Sequence, residues 1–365
     1  MATNIGSAGR GRRTRAAGNI DRATGPRVGS ADGLSELLRV IHLSGTAFID
    51  AELSAPWAVE TPPPAAIAAR LAPGAGRIIP YHLVTEGACF VTLAGQEPLR
   101  VEASQVVMFP RGDVHVLSST PRPAPLQITT QAVVKLTRPD AIAAVRYGGD
   151  WARTRLICGF FACDEVLSEQ LFARLPGLMH CAVAADGAAG LLSRSLRPAG
   201  VAAQLGAAAV LGKLSELLFV DAIRAYVESQ DTQDAWLHGL RDRYVSGGLA
   251  LIYGRPYHPW TVDVLARQIG ISKTALTDHF VRCTGLAPMQ YLSQWRLRLA
   301  ADALRHTDKA IKLIADAAGF ASTAAFTRAF KREFGVSPAH SRRSAHVEAG
   351  RTGPRNVAPP QRRLS

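Results

Sequence analysis

Two groups of side chains in this 365-residue sequence have the types and spacing to do chemistry. The first lies near the C-terminus. On a helix over residues 323–334, Phe326, Phe330 and Phe334 fall on one face, whereas Ala324, Thr327, Arg328 and Lys331 share the opposite one. A stripe of short and basic side chains suits the major groove of a duplex. Arg328 has the fork for a bidentate contact to guanine, Thr327 can meet a thymine methyl or a phosphate, and Lys331 can pair with a phosphate. The second group is His82, Glu86 and His115. Two imidazoles and one carboxylate are a donor set for Fe(II), Mn(II) or Ni(II). Each group also has a plainer reading: a solvated helix face carrying one arginine, and two hydrogen-bonded core histidines.

What would position the arginine helix occurs twice, which tells against the plainer reading. Residues 262–288 align with residues 311–338, with one extra residue at Ala321. Ala266 then meets Ala315, Gly270 meets Gly319, Ser272 meets Ser322, Phe280 meets Phe330, Gly285 meets Gly335 and Pro288 meets Pro338. Each copy reads as an apolar-periodic helix, a turn at glycine where positive φ is cheap, a serine cap, and a second helix ending at another glycine. That is the grammar of a helix-turn-helix. In the first copy Thr261 caps a helix burying Val264, Leu265 and Ile269; in the second, Ile311, Ile314, Ala315 and Ala318 serve likewise. A linking helix from Pro288 to about His306 spans roughly 27 Å, near the roughly 34 Å of one DNA turn. Arg296 and Arg298 on it, and the amides at the helix starts near Val262 and Ala310, are further candidates for phosphate contacts.

Charge supports a polyanionic partner for this region. The sequence is 47% hydrophobic and 19% charged, enough apolar surface for a globular protein, and its net charge of +13 is unevenly placed. Residues 31–245 hold 18 Lys/Arg against 21 Asp/Glu, whereas residues 246–340 hold 12 against 6, and residues 1–30 and 341–365 carry +5 each. Nucleic acid is favoured over lipid. The longest apolar stretch, residues 201–220, is interrupted by Gln204, Lys213 and Glu216, so no membrane span is expected. Arg10, Arg12, Arg13 and Arg15 precede no apolar run, which leaves no secretory leader and a cytosolic protein as the expectation. Cys89, Cys158, Cys163, Cys181 and Cys283 are odd in number and lack zinc spacing, so reduced, mostly buried thiols are expected.

The remaining chain divides by pattern. Residues 1–30 and 345–365 read as disordered basic tails. Within residues 31–162, short runs at 40–50, 78–85, 89–93, 99–102, 106–109, 114–117 and 156–161 read as strands of a barrel or sandwich. From 163 to 245 strand signals fade, and Leu205, Ala209, Leu214, Leu217, Leu218 and Ile223 recur at helical intervals, as a helix packed on the barrel or as a dimer contact. Residues 246–344 form the reader, with its helix-turn-helix units at 261–283 and 310–334.

The stretches "VDVLARQIGISKTALTDHFVRCTGLAP" and "LIADAAGFASTAAFTRAFKREFGVSP" resemble the two reading units of the AraC/XylS transcriptional regulators. By that resemblance the groove-facing positions are Thr274, Thr277 and Asp278 in the first unit, and Thr323, Ala324, Thr327 and Arg328 in the second. Lys273, Lys331 and Arg332 complete the expected DNA-binding set. Asp278 departs from the family, which usually has a neutral or basic residue there. A carboxylate near phosphate is repelled unless it accepts from cytosine N4 or pairs with Lys273 or Arg282. In the N-terminal half, "IPYHLVTEGACFVTLAGQEPLRVEASQVVMFPRGDVHVLSS" resembles the cupin-type domain of one branch of these regulators, and "LSELLFVDAIRAY" resembles the connector that follows it. There "PRGDVH" fits the second cupin metal motif, and His82 with Glu86 gives His-x-x-x-Glu, although Pro80 stands where another histidine is usual.

The resemblance implies a multidomain α and β protein: an N-terminal cupin-like β-barrel, a helical connector, and a C-terminal all-α domain with two helix-turn-helix units. It implies a transcription factor rather than an enzyme, with no cofactor. Its expected partners are double-stranded DNA across successive major grooves, a small-molecule effector held near His82, Glu86 and His115, and a second copy in a homodimer, with RNA polymerase a further candidate. The rival reading is a cupin metalloenzyme with a DNA-binding appendage. A basic architectural binder without sequence preference is a third.

Overall fold

Alternation of buried and half-exposed residues, as in the Ala88–Leu93 strand, builds much of the N-terminal half. The structure is a computed structural model and describes residues 32–41, 43–72, 75–122, 130–137, 142–184, 186–196, 205–229 and 234–352. The expected tail at 1–30, and the part of the C-terminal tail beyond 352, lie outside the described residues. Elements run in the order α1 (Gly33–Val40), β1 (Leu43–Ser54), β2 (Ala58–Glu60), α2 (Pro64–Leu71), β3 (Arg77–Glu86), β4 (Ala88–Leu93), β5 (Leu99–Glu102), β6 (Gln105–Met108) and β7 (His115–Ser118). There follow α3 (Thr130–Leu136), β8 (Ile142–Tyr147), β9 (Arg153–Cys163), α4 (Glu165–Phe172) and β10 (Met179–Ala182).

The strands form two sheets, β10-β6-β3-β9-β1-β8 and β2-β7-β4-β5, antiparallel except where β8 joins β1. The expected barrel is not seen closed. Ile49, Val84 and Val107 of the larger sheet share one buried cluster with Val91, Val101 and Leu117 of the smaller, yet among the described residues no ladder closes the two sheets into a barrel. Ser104, at φ 65, sits in the tight reversal between β5 and β6, where the chain leaves one sheet for the other. Strand β10 corrects a second expectation, since it comes from the supposed helical connector and pairs with β6. Its four residues, Met179–Ala182, are too few to show a period.

Helices α5 (Ala188–Ser195) and α6 (Ala207–Glu228) follow, and α6 lays Leu211, Ser215, Leu218 and Ala222 against the larger sheet. Gly45 on β1 permits that approach: a Cβ there would stand 1.9 Å from the Ser215 hydroxyl. Then come α7 (Ala235–Arg241), α8 (Arg243–Gly254), α9 (Val262–Ile269), α10 (Lys273–Thr284), α11 (Pro288–His306), α12 (Ile311–Ala317), α13 (Thr323–Phe334) and α14 (Pro338–Thr352). The last helix carries residues 345–352, which had been expected in the tail.

The two reading units are cored differently. Leu265, Leu276 and Phe280 of the first belong to one buried cluster with Leu37 and Phe161 of the N-terminal half and Phe219 of α6, whereas Leu304, Ile314, Phe326 and Phe330 of the second form their own. Helix α1, though it precedes the sheets, packs on α8: the Gly33 amide donates to Ser246 Oγ at 3.0 Å. The boundary expected at residue 246 is therefore not a boundary in packing.

Candidate functional site

In the first unit the Thr261 hydroxyl accepts from the Val264 amide at 3.2 Å, Gly270 turns at φ 82, and the Ser272 hydroxyl accepts from the Ala275 amide at 3.2 Å. The second unit repeats the turn and the second cap, with Gly319 at φ 84 and the Ser322 hydroxyl accepting from the Ala325 amide at 3.2 Å, whereas its first helix starts at Ala310 without a side-chain cap. An N-cap bond satisfies one orphan donor of a helix start and fixes where that helix begins. Helix α10 then buries Leu276 and Phe280, and α13 buries Phe326 and Phe330. Opposite them, Lys273, Thr274, Asp278, Thr323, Ala324, Arg328, Lys331 and Arg332 are exposed, and Thr277 and Thr327 half-buried. Two candidates are already engaged. The Thr277 hydroxyl donates to the Lys273 carbonyl at 2.9 Å, and the Lys273 ammonium meets Asp263 at 3.0 Å. Arg282 approaches His279 at 3.0 Å and Asp242 at 3.7 Å, so neither basic neighbour neutralises Asp278.

The linking helix is less available to phosphate than its sequence suggests. Arg296 donates to the carbonyls of Pro256 and His258 at 2.7 and 2.8 Å, and Arg298 faces Glu333 at 3.9 Å. On the first recognition helix, His279 Nδ1 meets the Asp242 carboxylate at 2.7 Å. Asp242 also caps α8; burial alone would push its carboxyl up, but the Val245 amide, His279 and the Tyr244 amide together hold it below its usual value. That tie between α8 and α10 spans 37 residues and carried no sequence signal.

Of the proposed metal set, two members meet and one does not. His82 and His115, 4% and 1% exposed, bring their Nε2 atoms to 2.7 Å, while Glu86 ends β3 exposed, opposite Arg155. Burial pushes both histidines down, His115 to about 3 and His82 well below its ordinary value, so both stay neutral. His82 borders a cavity of about 60 Å³ between the two sheets. Its walls include Ile49, Leu53, Val59, Leu117, Leu156 and Cys158, with Val133 and Leu136 of α3 over it, and Thr61 and His82 border it without turning a polar atom into it. All five cysteines are free; Cys158 and Cys181 are only partly enclosed. Among the described residues, Asp164, Asp302 and His306 are the one triplet with ligand-type atoms within 4.8 Å of one another. There His306 approaches Asp164 at 3.9 Å and links α4 to α11.

Comparison with known proteins matches residues 32–228 to the cupin family and residues 265–344 to a helix-turn-helix domain. AlkR, an HTH-type transcriptional regulator of Acinetobacter baylyi, is 27% identical over 321 residues, which is 86% of this chain and 100% of that protein. A Streptomyces antibioticus protein described as an AraC-like transcription regulator is 28% identical over 74% of this chain and 88% of its own length. MtrA, an HTH-type transcriptional regulator of Neisseria gonorrhoeae, is 25% identical over 86% of this chain and 98% of its own. Two capped helix-turn-helix units behind a cupin domain, matched along nearly the whole length of such relatives, identify the chain as a member of the AraC family of DNA-binding transcriptional regulators.

Proposed function

We propose that α10 and α13 read successive major grooves of an operator, and that the cavity between the sheets senses a small uncharged molecule. The observation that carries the first part is the repeated cap, turn and exposed stripe on helices joined by α11, whose 19 residues extend about 28 Å at roughly 1.5 Å each. In this reading Arg328 contacts guanine, Thr323, Ala324 and Thr327 pack against base edges, and Lys331 and Arg332 hold phosphates. With Lys273 turned to Asp263, Asp278 is left to accept from cytosine N4, and Thr274 and Thr277 complete the first unit. The sensor reading rests on the apolar walls, which favour an uncharged occupant, and on the core that joins the sheets to the first reader.

A second copy fits the outer side of α6, where Val210, Leu217 and Val220 are 43%, 53% and 37% exposed in a helix whose other face is covered by the sheet. Binding of the full chain to its operator and to a scrambled duplex at fixed salt tests the proposal. A specific advantage of about a thousandfold or more is expected. Equal affinity would leave only an architectural binder.

A further inference from the structure

The two reading units have separate cores, and α11 passes from one to the other at a definite point. Tyr291, Leu292 and Trp295 belong to the first core, and Leu297, Ala300, Ala301 and Leu304 to the second. Arg296 stands at the changeover. Its Nε donates to the Pro256 carbonyl at 2.7 Å and its Nη2 to the His258 carbonyl at 2.8 Å, which ties α11 to the loop that enters α9 of the first unit. Its Nη1 lies against Gly319, in the turn between α12 and α13 of the second unit, so closely that a Cβ there would stand 2.8 Å away. One planar group thus touches the entry to the first reading unit and the turn before the recognition helix of the second.

The gap between the units is only partly filled. A cleft of about 330 Å³ runs beside Arg296, between Tyr257 of the entry loop and Leu313, Ile314 and Ala317 of α12. Hydrocarbon packing is incomplete there, so directional bonds from a rigid guanidinium fork hold what packing leaves loose. We infer that Arg296 is a positioning residue that sets the separation and relative turn of α10 and α13, and with them the spacing of DNA subsites that the protein accepts. It acts through the two backbone segments it touches and not through phosphate, since Nε and Nη2 are already spent on carbonyls. Linked readers bind together only where both subsites meet them. One base pair more or less moves a subsite by about 3.4 Å and turns it by roughly 35°, so a stiff link rejects the wrong spacing and a loose one tolerates it. This inference rests on the two-groove reading above and adds the residue that makes that reading specific in spacing.

The test carries the full-length native chain, Arg296→Met and Arg296→Lys through selection from random duplexes of about 30 base pairs. Each protein is then titrated, at several salt concentrations, with the duplex the native chain selects and with the same duplex one base pair longer or shorter between its motifs. The native chain should select two motifs per protomer at one separation, near one helical turn, and lose about tenfold or more on either altered duplex. Both variants should keep the two motifs but scatter their separation, with the penalty for altered spacing reduced to about twofold and the salt slope unchanged. Lysine keeps the charge without the fork, so it should not restore the discrimination. A spacing penalty equal to the native one in either variant overturns the inference. So does a salt slope lowered by about one unit in Arg296→Met and restored in Arg296→Lys, the mark of a phosphate contact. Should Arg296→Met not fold, Arg296→Lys decides alone. Two motifs in the native pool with unchanged spacing in the variants refute the role of Arg296 and leave the two-groove reading standing, whereas a single motif per protomer in the native pool refutes both.

Discussion

The Trp236 indole N–H donates to the Tyr291 phenol oxygen at 3.0 Å, joining α7 to the helix that links the two DNA readers. Gln170 of α4 donates to the same oxygen, so both lone pairs are taken and the Tyr291 proton is directed to Tyr253 of α8. Burial pushes Tyr291 up to about 12, which keeps that O–H intact at any physiological pH. Four elements, from the sensor half to the reader, thus converge on one phenol.

Removing that phenol should be costly. Tyr291→Phe keeps the ring but leaves buried groups of Gln170, Trp236 and Tyr253 without their shared partner, and unmet buried polar groups cost about 1 to 3 kcal/mol. Urea denaturation should show a lower midpoint with an unchanged slope. An unchanged midpoint would mean that the cluster contributes nothing to joining the two halves.

Arg328 and Lys331 are both exposed on α13 but should fail in different ways. Arg328→Ala should lose about 1 to 3 kcal/mol on operator DNA and relax base preference, with little effect on random duplex. Lys331→Ala should weaken every sequence alike and lower the salt slope by about one unit. Anisotropy titrations on both duplexes at several salt concentrations distinguish the two. Equal losses from Arg328→Ala on operator and random DNA would refute its base-reading role.

The histidine pair predicts an acid-sensitive N-terminal fold. Both imidazoles are held neutral in the fold and titrate near 6.5 once unfolded, so their contribution is complete above that pH and is lost as pH falls towards about 3. Each site loses up to about 1.4 kcal/mol per pH unit, so the pair should remove about 2 to 3 kcal/mol between pH 7 and 5.5. Denaturation at those two pH values, repeated with His115→Gln, should show the variant with about half the dependence. Identical pH dependence in the variant would mean that the pair does not couple protons to folding.

The reader was legible in the sequence because its signals are local. Thr261, Ser272 and Ser322 cap helices within three residues of themselves, and Gly270, Gly285, Gly319 and Gly335 take the positive φ their turns require. What escaped was set by distance along the chain. Nothing near Gly33 reveals a bond to Ser246, and nothing near Met179 reveals a place beside Met108. The sensor site was half legible. Histidines 82 and 115 do meet, but whether Glu86 would join them depended on how β3 ends. Period alone also could not distinguish a closed barrel from two sheets over one core, since both alternate inward and outward residues.

Hydroxyl-radical footprinting of the operator tests most directly the proposal that α10 and α13 of one chain enter neighbouring turns of the same DNA face. Each protomer should protect two patches about 10 base pairs apart, and Arg328→Ala should erase one of them while sparing the other. A single patch per protomer, or two patches on opposite faces of the duplex, would contradict the account.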